Sequence, residues 1–155
     1  SLSIELTQAC YNSGQIHHRK PDSYIAELVS VGFLVKSDAP MTTAKKGHGC
    51  FAKDSIVFPL FNKKGDVINF YGIRIQTVSE ITGYLNHEGI YPAYPSVQTT
   101  RLYITNTILD SATLMESRML ENRDAVMALF DGELRPQHIE AIAELTQLKE
   151  IIFIK

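Results

Sequence analysis

The sequence predicts an α+β protein: a small mixed N-terminal region containing a β-hairpin, then an α/β unit of three parallel strands and two helices. Three observations carry this. Between residues 56 and 71 two apolar runs flank Asn62-Lys63-Lys64-Gly65, a turn-forming group. After residue 100, short apolar runs alternate with segments of helical period, which is the pattern of parallel strands joined by crossovers. The 155-residue length and ordinary apolar content suit one domain or two small subdomains. We place the boundary so that residues 1–99 form the N-terminal subdomain and 100–155 the α/β subdomain.

In order, the first twenty residues are polar and weakly patterned. Pro21-Asp22-Ser23 starts a helix running from about Asp22 to Val31, with Ile25, Leu28 and Val29 apolar and Gly32 as its stop. Residues 36–50, rich in small and polar types, read as a long loop. Ile56–Leu60 is a strand in which Pro59 argues for an edge or a bulge. Val67–Tyr71 returns, apolar on both faces. Tyr84–Asn86 forms a short strand, and His87–Thr100, with Pro92 and Pro95, an extended connector.

Leu102–Ile104 is a buried strand that stops at Thr105 and Asn106. A helix over Thr107–Met119 follows, with Ile108, Ala112, Met115 and Met119 on one face. Ala125–Phe130 is the second strand, ending at Asp131-Gly132. Pro136 opens a helix to about Gln147, with Ile139, Ile142, Ala143 and Leu145 inward. Ile151–Ile154 is the third strand. In open α/β sheets ligands sit outside the carboxyl ends of strands, so chemistry is expected around Thr105, Asn106 and Asp110.

Composition narrows the function classes. Net charge is −2, against a strongly basic nucleic-acid binder, but it is uneven: ten Lys/Arg face eight Asp/Glu through residue 106, and five face nine after it. His17–Lys20, Lys45-Lys46 and Lys63-Lys64 form basic clusters able to neutralise phosphates, or simply solvated loop tips. No apolar run approaches the ~20 residues of a membrane span. Two cysteines make no disulfide framework, so a cytoplasmic location is expected. The ends look like boundaries of a piece of a longer chain.

Cys10, His17, His18, His48 and Cys50 lack the tight paired spacing of structural zinc sites. Nucleophile-elbow and phosphate-loop patterns are absent. Asp110 and Asp131 fall at strand ends where carboxylates hold Mg²⁺, but on their own they better suit a helix first turn and a tight turn.

Several stretches in order resemble the catalytic core of bacterial DnaG-type primases and, more closely, primase-related TOPRIM proteins of mobile elements. Asp54–Arg74 is similar to the pattern R-[IV]-x-F-P-[IL]-x-[DN]-x-x-G-x-[VI]-x-x-x-G-R through Phe58, Pro59, Leu60, Asn62, Gly65, Val67 and Gly72. Tyr103–Leu114 resembles the first TOPRIM motif, a strand followed by E-[GS]-x-x-D-x-x-[AST]-L. Tyr84-Leu85-Asn86 resembles the Y-L-N between them, and Asp131-Gly132 with Arg135–Ala143 the family's glycine turn and its His-bearing helix.

The resemblance implies a first subdomain that binds template single strand and a partial TOPRIM-like subdomain that would hold Mg²⁺ and polymerise ribonucleotides. On this reading Asn106 and Asp110 occupy catalytic positions, while Lys53, Lys63, Lys64, Arg74 and Arg101 contact phosphates and Tyr71 stacks on a base. Partners would be single-stranded DNA or an RNA primer–template, and replication proteins, with no membrane. The family's Glu is Asn106 here, and an amide is no general base. Ser55 replaces the Arg ahead of Phe58-Pro59. Ile73 follows the hairpin glycine, leaving Arg74 one place on and so on the opposite strand face. The acidic-pair motif would lie beyond Lys155.

The expectation is therefore a fragment that binds single-stranded nucleic acid without polymerising and holds no cofactor itself, although Mg²⁺ is expected in an intact relative. Two alternatives stand beside it: a Mg²⁺-dependent primase or nuclease active only in a longer protein, and a pseudo-enzyme serving protein–protein contact.

Overall fold

The computed structural model describes residues 9–15, 18, 20–36, 48–74 and 82–155. The elements run β1 (Cys10–Asn12), α1 (Asp22–Ser30), β2 (Leu34–Lys36), β3 (His48–Cys50), β4 (Ser55–Phe61), β5 (Val67–Arg74), β6 (Thr82–Tyr84), β7 (Arg101–Thr105), α2 (Ile108–Glu116), β8 (Asp124–Ala128), α3 (Pro136–Ala143) and β9 (Glu150–Ile154). They form a four-stranded sheet in the order β1-β4-β5-β6, a ribbon of β2 and β3, and a three-stranded sheet in the order β8-β7-β9. The mixed α+β class and the parallel arrangement of β7, β8 and β9 are as the sequence predicts.

The chain divides into two compact units that do not follow a single cut in the sequence. Among the described residues, one comprises those within 58–69 and 87–155; the other comprises those within 9–57 and 70–86. The hairpin strands therefore contribute their turn ends to the first unit and their open ends to the second.

In the first unit β7 is central. Its residues 101–105 pair in register with Asp124–Ala128 on one side and Glu150–Ile154 on the other. Leu102 and Ile104 are buried with Ile90, Met127, Leu129, Ala141 and Leu145. Burying each such aliphatic side chain contributes about 1.5–3 kcal/mol. Ile90 belongs to the predicted connector yet joins this core, bridging to Phe61 by reciprocal backbone hydrogen bonds of 2.9 Å. At the hairpin tip the Asn62 side chain accepts from the backbone N–H groups of Lys64 and Asp66, both at 2.9 Å, and Gly65 takes φ +85°.

Both helices of this unit depart in detail from their predicted faces. Ile108 and Ala112 are buried as expected, but α2 ends at Glu116 and Met119 is 72% exposed. Arg118, at φ +56°, has already left helical conformation. In α3, which ends at Ala143 rather than near Gln147, Ile139 and Ala143 face solvent and His138 and Ala141 are inside; Leu145, beyond the helix, is buried as predicted. His138 folds back to cap the helix and so sets the buried stripe one position off the aliphatic pattern. The second strand stops at Ala128; Leu129 and Phe130 are buried beyond it.

In the second unit, Gly32 (φ +78°) ends α1 as predicted, but no α1 residue is fully buried. Cys10–Asn12, within the stretch read as unpatterned, pairs with Ser55–Val57. Of the predicted long loop, residues 37–47 lie outside the described residues, while Lys36 and His48–Cys50 are paired strand positions. In this ribbon Leu34 is buried and Val35 exposed, while Phe33 packs on Phe51 beside it. The short strand after the hairpin is Thr82–Tyr84, with Leu85 making one further backbone bond to Phe70 before the chain bends. Along one face of β5 Asn69 and Tyr71 are buried but Val67 is 46% exposed, and on the other face Ile68 and Phe70 are only half-buried, so β5 is not fully buried on either face. Pro59 falls between the β1 pairing at Val57 and the Ile90 bridge at Phe61, where its missing N–H leaves no ladder bond unmade.

Gly72 has a local cause. A Cβ there would stand 2.3 Å from the Ala52 Cβ, and Ala52 is itself held at φ +49°. The backbone approach at this point admits only glycine.

Candidate strand-end site and basic positions

The carboxyl end of β7 is fixed by hydroxyls. The Thr105 Oγ1 donates to the Thr107 carbonyl at 2.9 Å and shares a 2.7 Å bond with the Ser111 Oγ, and both residues are fully buried. Thr107 caps α2: its Oγ1 accepts from the Asp110 N–H at 3.2 Å and donates to the Asp110 Oδ2 at 2.7 Å. These bonds turn the chain sharply and leave Asn106 exposed at the strand end, with Asp110 exposed on the first helical turn.

The exit of β8 is stitched to the same place. Leu129 donates to the Thr105 carbonyl at 2.9 Å and Gly132 to the Asn106 carbonyl at 2.8 Å. Asp131 and Gly132 both hold positive φ, 51° and 83°, so the turn folds back toward Asn106. A Cβ on Gly132 would stand 3.8 Å from the Asn106 Oδ1. The structure thus brings Asn106 beside the Asp131-Gly132 turn.

Behind the turn lies a group the residue patterns alone did not single out. Arg135 extends over the Phe130 ring, 6.0 Å from its centroid, and pairs with Glu133 at 2.5 Å. The Arg135 backbone N–H donates to the His138 Nδ1 at 2.9 Å, and the His138 N–H donates to the Arg135 carbonyl at 3.0 Å. His138 is wholly buried, edge-on to Phe130. Because Nδ1 accepts, the ring's proton sits on Nε2, which has no partner among the described residues; the Arg135 Nε is likewise unpaired. Burial, reinforced by the Arg135 charge, pushes the His138 pKa down to about 4.

The donor set can be tested against a divalent metal. Asn106 offers a neutral amide, Glu133 is engaged by Arg135, and Asp110 is held by Thr107. Among the described residues no three His, Cys, Asp or Glu side chains group so as to hold an ion. The described residues do not by themselves complete a Mg²⁺ site. Of the early Cys/His set, Cys10 is exposed, the Cys50 Sγ accepts from the Asn12 amide at 3.3 Å, and His17 lies outside the described residues.

The predicted basic positions have varied surroundings. Lys64 is exposed at the hairpin tip, and Lys63 beside it pairs with Glu144 at 2.6 Å, a bond that raises its pKa. Arg101 lies at the amino end of β7, opposite to Asn106. It meets Glu150 at 3.2 Å, Asp124 at 3.5 Å and Glu121 at 3.9 Å. Asp124 and Glu150 are its register partners in the flanking strands, so Arg101 ties the three amino ends together. Their identical placement as strand-opening residues was the signal available in the sequence.

Lys53, Arg74 and Tyr71 belong to the other unit. Lys53 is exposed on a turn whose neighbours Ala52 and Asp54 both hold positive φ. Arg74 is half-buried at the end of β5. Tyr71 does not offer an open ring face for a base: it is 4% exposed and packs on Tyr84 with centroids 4.5 Å apart. Its position on the inner face of β5 dictates this.

No protein-family model and no curated protein matches the sequence. Solved structures do. A DNA primase domain from Pseudomonas aeruginosa superposes with a TM-score of 0.67 at 15% identity, over 93% of this chain and 45% of that one. A DnaG primase catalytic domain bound to single-stranded DNA gives 0.63 at 16% identity, over 94% of this chain and 48% of that one. The RNA polymerase domain of Mycobacterium tuberculosis DnaG, in complex with double-stranded DNA, gives 0.60 at 10% identity, over 94% and 48%. The chain thus has a DnaG-type primase-related fold and spans less than half the length of these neighbours.

Proposed function

We propose that this chain is part of a primase-related protein of bacterial DNA replication or mobile-element maintenance, that it binds single-stranded nucleic acid in the cytoplasm, and that its own residues do not polymerise nucleotides. The observation that carries the reading is the pairing of a primase-type fold with an exposed amide, Asn106, at the carboxyl end of the central parallel strand. The resemblance assigns a Glu to that position in a TOPRIM-like motif. An amide supplies neither the negative charge that attracts a hard cation nor a base that accepts a proton. Backbone contact would come from Lys53, Arg74 and the hairpin tip, Lys63 and Lys64. Arg101 would act on the architecture through its ion pairs, and replication proteins would be the partners.

The test is binding of a labelled oligonucleotide at several salt concentrations. Affinity should fall as salt rises, with a log–log slope of about 0.7 per phosphate neutralised. No affinity at low salt, or affinity indifferent to salt, refutes the reading.

A second reading has one observation in its favour: the Asp110 carboxylate is retained, solvent-facing and oriented by Thr107. It makes the longer protein a Mg²⁺-dependent primase or nuclease whose remaining acids come from residues outside this chain. Primer synthesis or nuclease activity by that longer protein, abolished in Asp110→Ala, is what this reading requires. Equal activity in both removes Asp110 from the chemistry.

A further inference from the structure

We infer that the second unit holds a pocket for a single nucleobase of the bound strand, lined by β1, α1 and, from the residues just after β1, Ser13 and Gln15. The inference rests on the nucleic-acid reading above and names a contact that the basic residues do not provide. The cavity has a volume of about 480 Å³, within the range of small-ligand sites. Phe33 and Val57 form its deep part, at 5% and 1% exposure, and Phe70 lies edge-on to Phe33 at 5.4 Å. Tyr24 and Leu28 line it from α1, and Tyr11, 56% exposed, stands at the opening. The Tyr11 hydroxyl reaches the Asp54 carboxylate at 3.4 Å, which fixes how the ring is presented.

Two features of the lining select a base over a purely apolar ligand. Tyr11, exposed at the opening, and Tyr24, half-exposed on α1, present rings that favour a flat, polarisable group, whatever its sequence identity. The polar lining comprises Ser13 and Gln15, exposed side chains that make no hydrogen bond among the described residues and that match the mixed donor–acceptor edge of a base. Asn12, by contrast, is saturated: its amide donates to the Phe51 carbonyl at 2.8 Å and accepts from the Gly14 N–H at 2.9 Å, shaping the loop.

Cations stand nearby. The Lys20 Nζ lies 5.6 Å from the Tyr24 ring centroid, and the Lys53 stem rests on Gly14, where a Cβ would come within 2.4 Å of it. A base seated among the aromatic rings would leave its phosphate near these ammonium groups, with Asp54 as the opposing charge.

The experiment combines methyl NMR of Leu28, Val31 and Val57 with affinity measurements, using a short oligothymidylate and an abasic oligonucleotide of equal length. The inference expects the base-bearing strand to shift these methyls and the abasic strand to bind by charge without shifting them. Tyr24→Ala should weaken oligothymidylate binding between about five- and a hundred-fold. Tyr24→Phe, which keeps the ring, should hold the wild-type affinity, and because α1 buries no residue completely both variants should fold. Salt-dependent binding that leaves the methyls unmoved and is unaffected by Tyr24→Ala overturns the pocket while the proposed function stands. Absence of any binding by the wild-type chain overturns both.

Discussion

Substituting His138 by glutamine tests whether the buried imidazole couples folding to pH. In the fold His138 is neutral, with its pKa pushed down to about 4 by burial first and by Arg135 second. In the unfolded chain the ordinary value of about 6.5 applies. The folded state therefore binds fewer protons than the unfolded state between these values, and stability must fall as pH falls. The contribution is present above pH about 6.5 and is lost on acidification through about 4. The full gap corresponds to about 3 kcal/mol, of which about 2 kcal/mol should be lost between pH 7 and pH 5. Glutamine at this helix position can still accept from the Arg135 N–H, as in a capping box, but does not titrate. Urea unfolding of wild type and His138→Gln at pH 7 and pH 5 isolates the effect as a double difference, in which other titrating groups cancel. The wild type should lose about 2 kcal/mol more than the variant. Equal losses in the two proteins would show that His138 is solvated or charged in the fold, and the derivation would be wrong.

Four further outcomes follow from the same coordinates. Removing the α2 cap in Thr107→Ala should cost about 1 kcal/mol in urea unfolding, since the Asp110 N–H loses its acceptor. Gly72→Ala should cost at least about 1–3 kcal/mol because its Cβ meets the Ala52 Cβ, and a retained unfolding midpoint would count against the packing described. Lys63→Ala with Lys64→Ala should leave stability unchanged and lower the salt slope of oligonucleotide binding by about 1–1.5, the share of two phosphates; an unchanged slope removes the hairpin tip from the interface. Cys10, exposed, should be alkylated faster than Cys50, whose thiol is pushed up by burial against a smaller opposing effect of the Asn12 hydrogen bond; equal rates would contradict that burial.

The sequence by itself determined those elements whose cause is local. The turn at Asn62–Gly65 follows from side-chain and φ chemistry within four residues, and the alternation after Arg101 follows from run length and period. The position of Asn106 at the end of a buried strand was legible for the same reason. Only the tertiary structure decided which face each helix buries, because His138 enters the interior as a capping group where the pattern favours Ile139. It also drew Ile90 from a connector into the core, buried Tyr71 against Tyr84, and made β1 and the β2–β3 ribbon from segments where no strand is predicted. These outcomes rest on partners distant in sequence. Backbone hydrogen bonds and packing between such partners leave no periodic trace in either segment taken alone.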